Sequence, residues 1–354
     1  MAEHQLSTER GSHLPIFANV FLDFFVERPE QKNIISRDEK KLIFLAARKF
    51  PERDIIKSMY KKIFSLIFVI IAMDSLAEEE VQFADILFEI PNTSMATLKT
   101  SFSKDALEEW GLIIASTALL YHYDEPIYDD AQRKGRAWHL GNKDMTRSFI
   151  KAGSYDVLRL PTDTGSMMYY LGDGWLHASI GGGMVVAGKL SENSYHTSTG
   201  YMLWHGMVVS TIFNQTLKRS FGRESPVVKT RERGKWTLFP SFNSYNEDTP
   251  SYDAMPSGHI MTATLTFTIL SERYPEQKIW LYPLGGVWLT ALGYQMVNNG
   301  VHWASDYPLG IAMGYVVGME ALKMGKNKNE KKAASWRIYP MMNGDSGLVA
   351  AKEF

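Results

Sequence analysis

Two histidines in this sequence stand in settings suited to phosphate chemistry, and a lysine stands upstream of both. The first setting is Pro256-Ser257-Gly258-His259. A proline in the first turn of a helix sacrifices no hydrogen bond, because the N–H it lacks would be unpaired there. The N–H groups of Ser257, Gly258 and His259 would then face outward with partial positive charge, and Gly258 would let an anion approach the main chain. Ser257 adds a hydroxyl donor, and His259 at the same edge can protonate a leaving oxygen. The second setting is His302 and Asp306, four residues apart and so on one face of a helix expected to start near Trp303. A carboxylate on one imidazole nitrogen fixes the tautomer and leaves the other nitrogen as nucleophile or base. The third is Lys218, at a helix end beside a glycine-containing turn, where an ammonium serves as a point-charge phosphate ligand. Each also has a structural reading: a capped helix start, a packing His–Asp pair, a surface lysine.

The elements that must position these groups are helical by pattern. Apolar Met202, Met207, Val208, Ile212 and Leu217 predict a helix over 199–221 that delivers Lys218. Helices are expected over 256–273, 278–297 and 303–324, so an apolar pair joins the two histidines. Residues 227–253 lack a sustained period and read as a long irregular loop, a kind that is usually functional or mobile. Upstream, 166–189 reads as a glycine-bearing helix opened by Thr162 or Asp163 as cap. Asp173 and His177 share a face of it, either lining the pocket or packing between helices. The apolar run 110–121 is expected to end at Tyr123-Asp124-Glu125-Pro126. No strand-like alternation persists, so the fold class is all-α with about eight helices and a loose tail over 325–354.

Composition narrows the partners. The 354 residues carry a formal net charge of -1, which gives no footprint for nucleic acid. There are no cysteines, so disulfides and thiolate metal sites are excluded.

In order, the three settings resemble the superfamily of type 2 phosphatidic acid phosphatases (PAP2) and vanadium haloperoxidases, whose motifs run K-x6-R-P, P-S-G-H and S-R-x5-H-x3-D. Lys218 and Pro226 match the first, Pro256 to His259 the second in full, and His302 and Asp306 the third. The resemblance covers about 110–324 and is strongest over 199–324. It implies a PAP2-like helical bundle and metal-independent hydrolysis of a phosphomonoester or lipid (di)phosphate. His302 would be the nucleophile forming a phosphohistidine, with Asp306 orienting it. His259 would be acid and then base, and Lys218, Ser257 and Gly258 would hold the phosphate. No cofactor is implied, except vanadate as an inhibitor or as the ligand of the haloperoxidase branch. Two departures stand out: the family's arginines fall on Ser225 and Met296, the latter in a Gln295-Met296 pair. Arg223, ahead of Arg219, is the candidate to replace the first, and Asn298 or Asn299 the second. An alternative is a non-catalytic relative that binds an anion or lipid head group. The expected partner is a phosphorylated small molecule or lipid phosphate, with contact to a membrane surface; oligomeric state is left open.

The N-terminal third carries a separate expectation. Met59-Tyr60-Lys61-Lys62, an apolar run over 63–73 and Ala77 before Glu78-Glu79-Glu80 have the layout of a secretory signal. On that reading residues 1–58 are an upstream over-call of the reading frame or a disordered extension, 59–77 are the signal, and 78–324 are an exported phosphatase domain, periplasmic or associated with the membrane peripherally or at the inner membrane.

Overall fold

The helix expected over 199–221 is the axis of the molecule and runs longer than its apolar pattern, from Ser194 to Phe221 (α6). Asn193 starts it by accepting from the N–H groups of Tyr195 and His196. Gly222 ends it in the left-handed conformation at φ 53°. A Cβ there would stand 1.9 Å from the Thr237 carbonyl, so glycine is required on both counts.

The computed structural model describes residues 81–153, 155–324, 336–341 and 347–352, all within the unit Leu66–Phe354. The expected signal segment lies outside them. Among the described residues are ten α-helices: α1 (Asp85–Phe88), α2 (Ile90–Ser101), α3 (Leu107–Ala137), α4 (Thr164–Tyr170), α5 (Gly174–Leu190), α6, α7 (Phe242–Glu247), α8 (Gly258–Arg273), α9 (Lys278–Asn298) and α10 (Tyr307–Ala321). The all-α class holds. α6, α8 and α10 pack on one another, α5 covers α6, and α9 joins α8 to α3. Leu203 and Val209 of α6, Leu265 and Ile269 of α8, Leu292 of α9 and Val317 of α10 are fully buried between them. The α8–α10 approach depends on Gly314, where a Cβ would meet the Met261 carbonyl at 2.4 Å.

Several expected boundaries move. The chain does not leave its helix at Pro126, because α3 continues through it to Ala137. A mid-helix proline costs about 3 kcal/mol, and packing of α3 on α9 and on the turn before α10 outweighs that local preference. Strands β1 (Thr146–Ala152) and β2 (Tyr155–Pro161) form an antiparallel hairpin where none was expected. A second hairpin, β3 (Trp336–Met341) with β4 (Gly347–Lys352), occupies part of the tail read as loose. The helix expected over 166–189 is two helices, α4 capped by Asp163 and α5 capped by Asp173. Asp173 is therefore a cap and does not pair with His177, whose Nε2 bonds the Leu171 carbonyl at 2.9 Å.

The loop over 227–253 is pinned at many points. Arg223 bridges both Trp236 and Asp253 in the main chain, and the Glu224 carboxylate accepts the N–H groups of Thr230 and Lys235. Large apolar side chains remain exposed on the outer surface, including Leu112, Ile114 and Leu119 of α3 and Ile279, Trp280 and Val287 of α9. No helix of the described residues is long and apolar enough to cross a membrane.

Candidate active site

The three settings converge on one short segment, Asp253 to Ser257, whose main chain holds each of them. Lys218, in the last turn of α6, donates from Nζ to the Asp253 carbonyl, with Asp253 Oδ2 3.4 Å away. The next carbonyl, Ala254 O, lies 2.5 Å from His302 Nδ1. The Ala254 N–H donates to the Arg223 carbonyl at 3.0 Å, and the Ser257 N–H to the Asp306 carbonyl at 3.1 Å.

This geometry assigns the His302 tautomer. A carbonyl oxygen only accepts, so Nδ1 carries the proton and Nε2 keeps the lone pair. The Asp306 carboxylate is farther off, with Oδ2 3.7 Å from Nδ1. The main chain, more than the carboxylate, thus sets the ring. His302 and Asp306 also do not share a helical face: a 3-10 turn, Ala304–Asp306, separates His302 from α10. Asp306 Oδ2 folds back to accept the Trp303 N–H at 2.7 Å, which fixes the carboxylate behind the imidazole.

Pro256 precedes the helix, and Ser257 is its cap, so α8 begins at Gly258. Ser257 Oγ accepts from the Ile260 N–H and so caps α8, while the Ser257 N–H is taken by the Asp306 carbonyl and does not face outward as expected. Gly258 and His259 open the helix, and their N–H groups precede the first intrahelical bond. The His259 ring stands 6.1 Å from that of His302 and 4.8 Å from that of Tyr169. Burial, with the neighbouring His302, Lys218 and His177, pushes His259 down to about 3. It is neutral at ordinary pH.

The arginine positions are filled by neutral groups. Ser225 is buried and its N–H bonds the Pro250 carbonyl. Met296 is fully buried, with Sδ 3.9 Å from Ser257 Oγ. The expected substitutes are committed elsewhere. Arg219 lies over the Tyr245 ring at 4.2 Å and donates to Gln215. Asn298 bonds Gly141, Gln295 and Arg136, and Asn299 accepts from Gln295. Arg223 has no donor left for a phosphate. Its guanidinium gives Nη1 to Ser305 Oγ (2.7 Å) and Asp306 Oδ1 (2.5 Å). Nη2 goes to Asp124 Oδ2 (2.7 Å) and the Arg233 carbonyl, which Nε also reaches. That uses all five donors. Arg223 is held on Asp306 Oδ1, while Oδ2 is the oxygen that lies 3.7 Å from His302 Nδ1.

Asp124 was missed. It sits in the stretch read as the end of a helix, and nothing local in Tyr123-Asp124-Glu125-Pro126 marks a carboxylate buried beside a histidine site. Its oxygens also accept from Ser305 N (3.0 Å) and Oγ (2.5 Å). Burial pushes its carboxyl up, against the pull of Ser305 and Arg223. For Asp306, burial acts the same way, but Arg223, His302 and the Trp303 N–H outweigh it and hold the carboxyl below its usual range.

Residues 200–330 match the PAP2 superfamily, a segment that contains Lys218, the Pro-Ser-Gly-His turn, His302 and Asp306. Over 78 residues the chain is 32% identical to the lipid A 1-phosphatase of Porphyromonas gingivalis. This match covers 22% of the chain and 18% of the length of that relative. Two solved structures are also similar. The crystal structure of Aquifex aeolicus LpxE shares 21% identity at a TM-score of 0.33, covering 45% of this chain and 83% of that one. The first transmembrane PAP2 type phosphatidylglycerolphosphate phosphatase structure, from Bacillus subtilis, shares 17% at a TM-score of 0.36, covering 70% and 96%.

Near the Pro-Ser-Gly-His turn, His177 is wholly buried and its Nδ1 has no partner. Burial lowers it to about 4, with the Leu171 carbonyl opposing. Because its folded value lies below the unfolded 6.5, the unfolded chain takes up the proton first, and stability falls as pH drops from about 6.5 toward 4. Thermal melts of His177→Phe should show a lower midpoint than wild type at pH 7 and a smaller loss between pH 7 and 4, the difference approaching roughly 3 kcal/mol. Parallel curves for the two proteins would contradict this.

Proposed function

We propose that this protein is a phosphatase that cleaves a lipid phosphate monoester or diphosphate through a phosphohistidine on His302. The observation that carries the reading is the His302 tautomer: Nδ1–H tied to the Ala254 carbonyl, Nε2 free, and the His259 ring 6.1 Å away. In the first step Nε2 attacks phosphorus, the P–O bond to the alcohol breaks, and His259 gives its proton to the departing oxygen. In the second, His259 takes a proton from water as its oxygen attacks phosphorus, and the P–N bond breaks to release phosphate. His259, neutral on its own, acquires the proton it needs when an anionic phosphate enters beside it and favours the charged ring. Lys218 and the Gly258 and His259 N–H groups hold the phosphate oxygens.

A lipid substrate is supported by the PAP2 segment, by the partial likeness to a lipid A 1-phosphatase, and by exposed apolar side chains on α3 and α9 that suit contact with a membrane surface. With chelator present, phosphatidic acid in mixed micelles should be hydrolysed more efficiently than a soluble chromogenic phosphate, by at least about tenfold in kcat/KM, about 1.4 kcal/mol of transition-state preference. Equal efficiency on the two, or a requirement for added metal, would overturn this.

A second reading, binding of an anion or lipid head group without turnover, is favoured by Ser225, Met296 and the committed Arg223. Phosphate-dependent thermal stabilisation without hydrolysis of either substrate would select it.

A further inference from the structure

The fully buried charges behind His302 include two carboxylates and one guanidinium, Asp124, Asp306 and Arg223, from three separate parts of the chain. Arg223 is clamped. Besides its five hydrogen bonds, it lies 5.1, 5.0 and 5.3 Å from the rings of Tyr121, Trp236 and Trp303. If Arg223 met Asp306 alone, the pair would be neutral, and Asp306 would offer little net charge to an imidazole that becomes cationic when Nε2 is phosphorylated. Asp124 changes that balance. Its Oδ2 takes the other guanidinium nitrogen at 2.7 Å, while both its oxygens hold Ser305, the residue next to Asp306.

We propose that Asp124 is a positioning residue for the reaction: by offsetting the Arg223 charge and fixing Ser305, it keeps the buried set net negative and Asp306 aimed at His302. The inference rests on reading His302 as the nucleophile. Asp124 lies outside the PAP2 segment, on α3, so the helix that packs across the bundle completes the charge balance of the site. The groups facing Asp124 are Arg223 and Ser305, with Tyr307 close enough that Asp306 and Asp124 add to burial in raising its hydroxyl.

The test uses the full chain and phosphatidic acid in mixed micelles. Asp124→Asn keeps shape and some bonding but removes the charge. It should lower kcat by ~10- to 100-fold, with KM within about twofold, and should slow phosphoenzyme formation in rapid-quench experiments. Arg223→Gln leaves two buried carboxylates uncompensated and should be worse. The double variant, Asp124→Asn with Arg223→Gln, brings the set back to the single net negative charge of wild type and should be more active than Arg223→Gln alone, an outcome that loss of structure would not produce. Thermal melts check that each variant folds; where Arg223→Gln does not fold, the kcat of Asp124→Asn decides. A folded Asp124→Asn protein with wild-type kcat, or with only KM altered, overturns the inference. So does a folded double variant no better than Arg223→Gln. His302→Ala losing activity while Asp124→Asn keeps it would sink this inference alone; absence of turnover by wild type would sink both it and the proposed function.

Discussion

His302→Ala is expected to reduce turnover of phosphatidic acid on the order of 10⁴-fold or more, as removal of a nucleophile does in enzymes that work through a covalent intermediate. The physical reason is specific. Ala254 O holds the Nδ1 proton, so the nucleophilic lone pair is set before substrate arrives. No neighbour can substitute, since the His259 ring is held at the start of α8, 6.1 Å from that of His302, and Lys218 is engaged with Asp253. Rapid quenching with labelled substrate should trap an acid-labile, alkali-stable phosphoenzyme in wild type and none in the variant. Residual phosphoenzyme in His302→Ala, or turnover within about tenfold of wild type, about 1.4 kcal/mol, would refute the assignment.

His259→Ala should act differently, with a loss that depends on the leaving group. General-acid assistance contributes about 10²- to 10⁴-fold when the leaving oxygen is basic. An alkoxide leaving from a lipid phosphate needs the proton; a nitrophenolate hardly does. The loss should therefore be large on phosphatidic acid and small for the phosphorylation step with a nitrophenyl phosphate. The pH dependence follows from burial and the neighbouring His302 and Lys218 lowering His259 to about 3. The protonated form must be generated by bound phosphate, so substrate binding takes up a proton and tightens as pH falls. The kcat profile, which reports the complex, should show a higher apparent value for this group than the kcat/KM profile, which reports the free enzyme. Equal losses on both leaving groups in single-turnover experiments would remove His259 from the acid role.

The parts of this site that could be read in the sequence are those where spacing alone constrains chemistry. Pro-Ser-Gly-His is four consecutive residues, and His302 and Asp306 are separated by three, so their proximity needs no knowledge of the fold. Even there, the local geometry differs: Ser257 turned out to be a cap, and a 3-10 turn takes the place of a helical face. The charge behind Asp306 was illegible because it is assembled across distance, Asp124 reaching a turn 181 positions away. Arg223 was legible as an arginine near the right place, but its direction depended on which carboxylates were buried around it. The hairpin β1–β2 was missed because its strands are bulged and its turn hinges on Gly153 at φ 63°, so no clean alternation survives in the sequence. The α3 boundary failed for the opposite reason: Pro126 is a strong local signal that packing overrides.

The carbonyls of Asp253 and Ala254 have a consequence for how this sequence can drift. Every residue type has a carbonyl, so the letters at these two positions can change while the grip on Lys218 and His302 persists. What cannot change is the count. One residue added or removed between Asp253 and Ser257 would put the lysine, the imidazole and the helix start out of phase at once. At Asp253 and Ala254 selection is therefore expected to act on spacing more than on identity, and related sequences should be recognisable there by the absence of gaps.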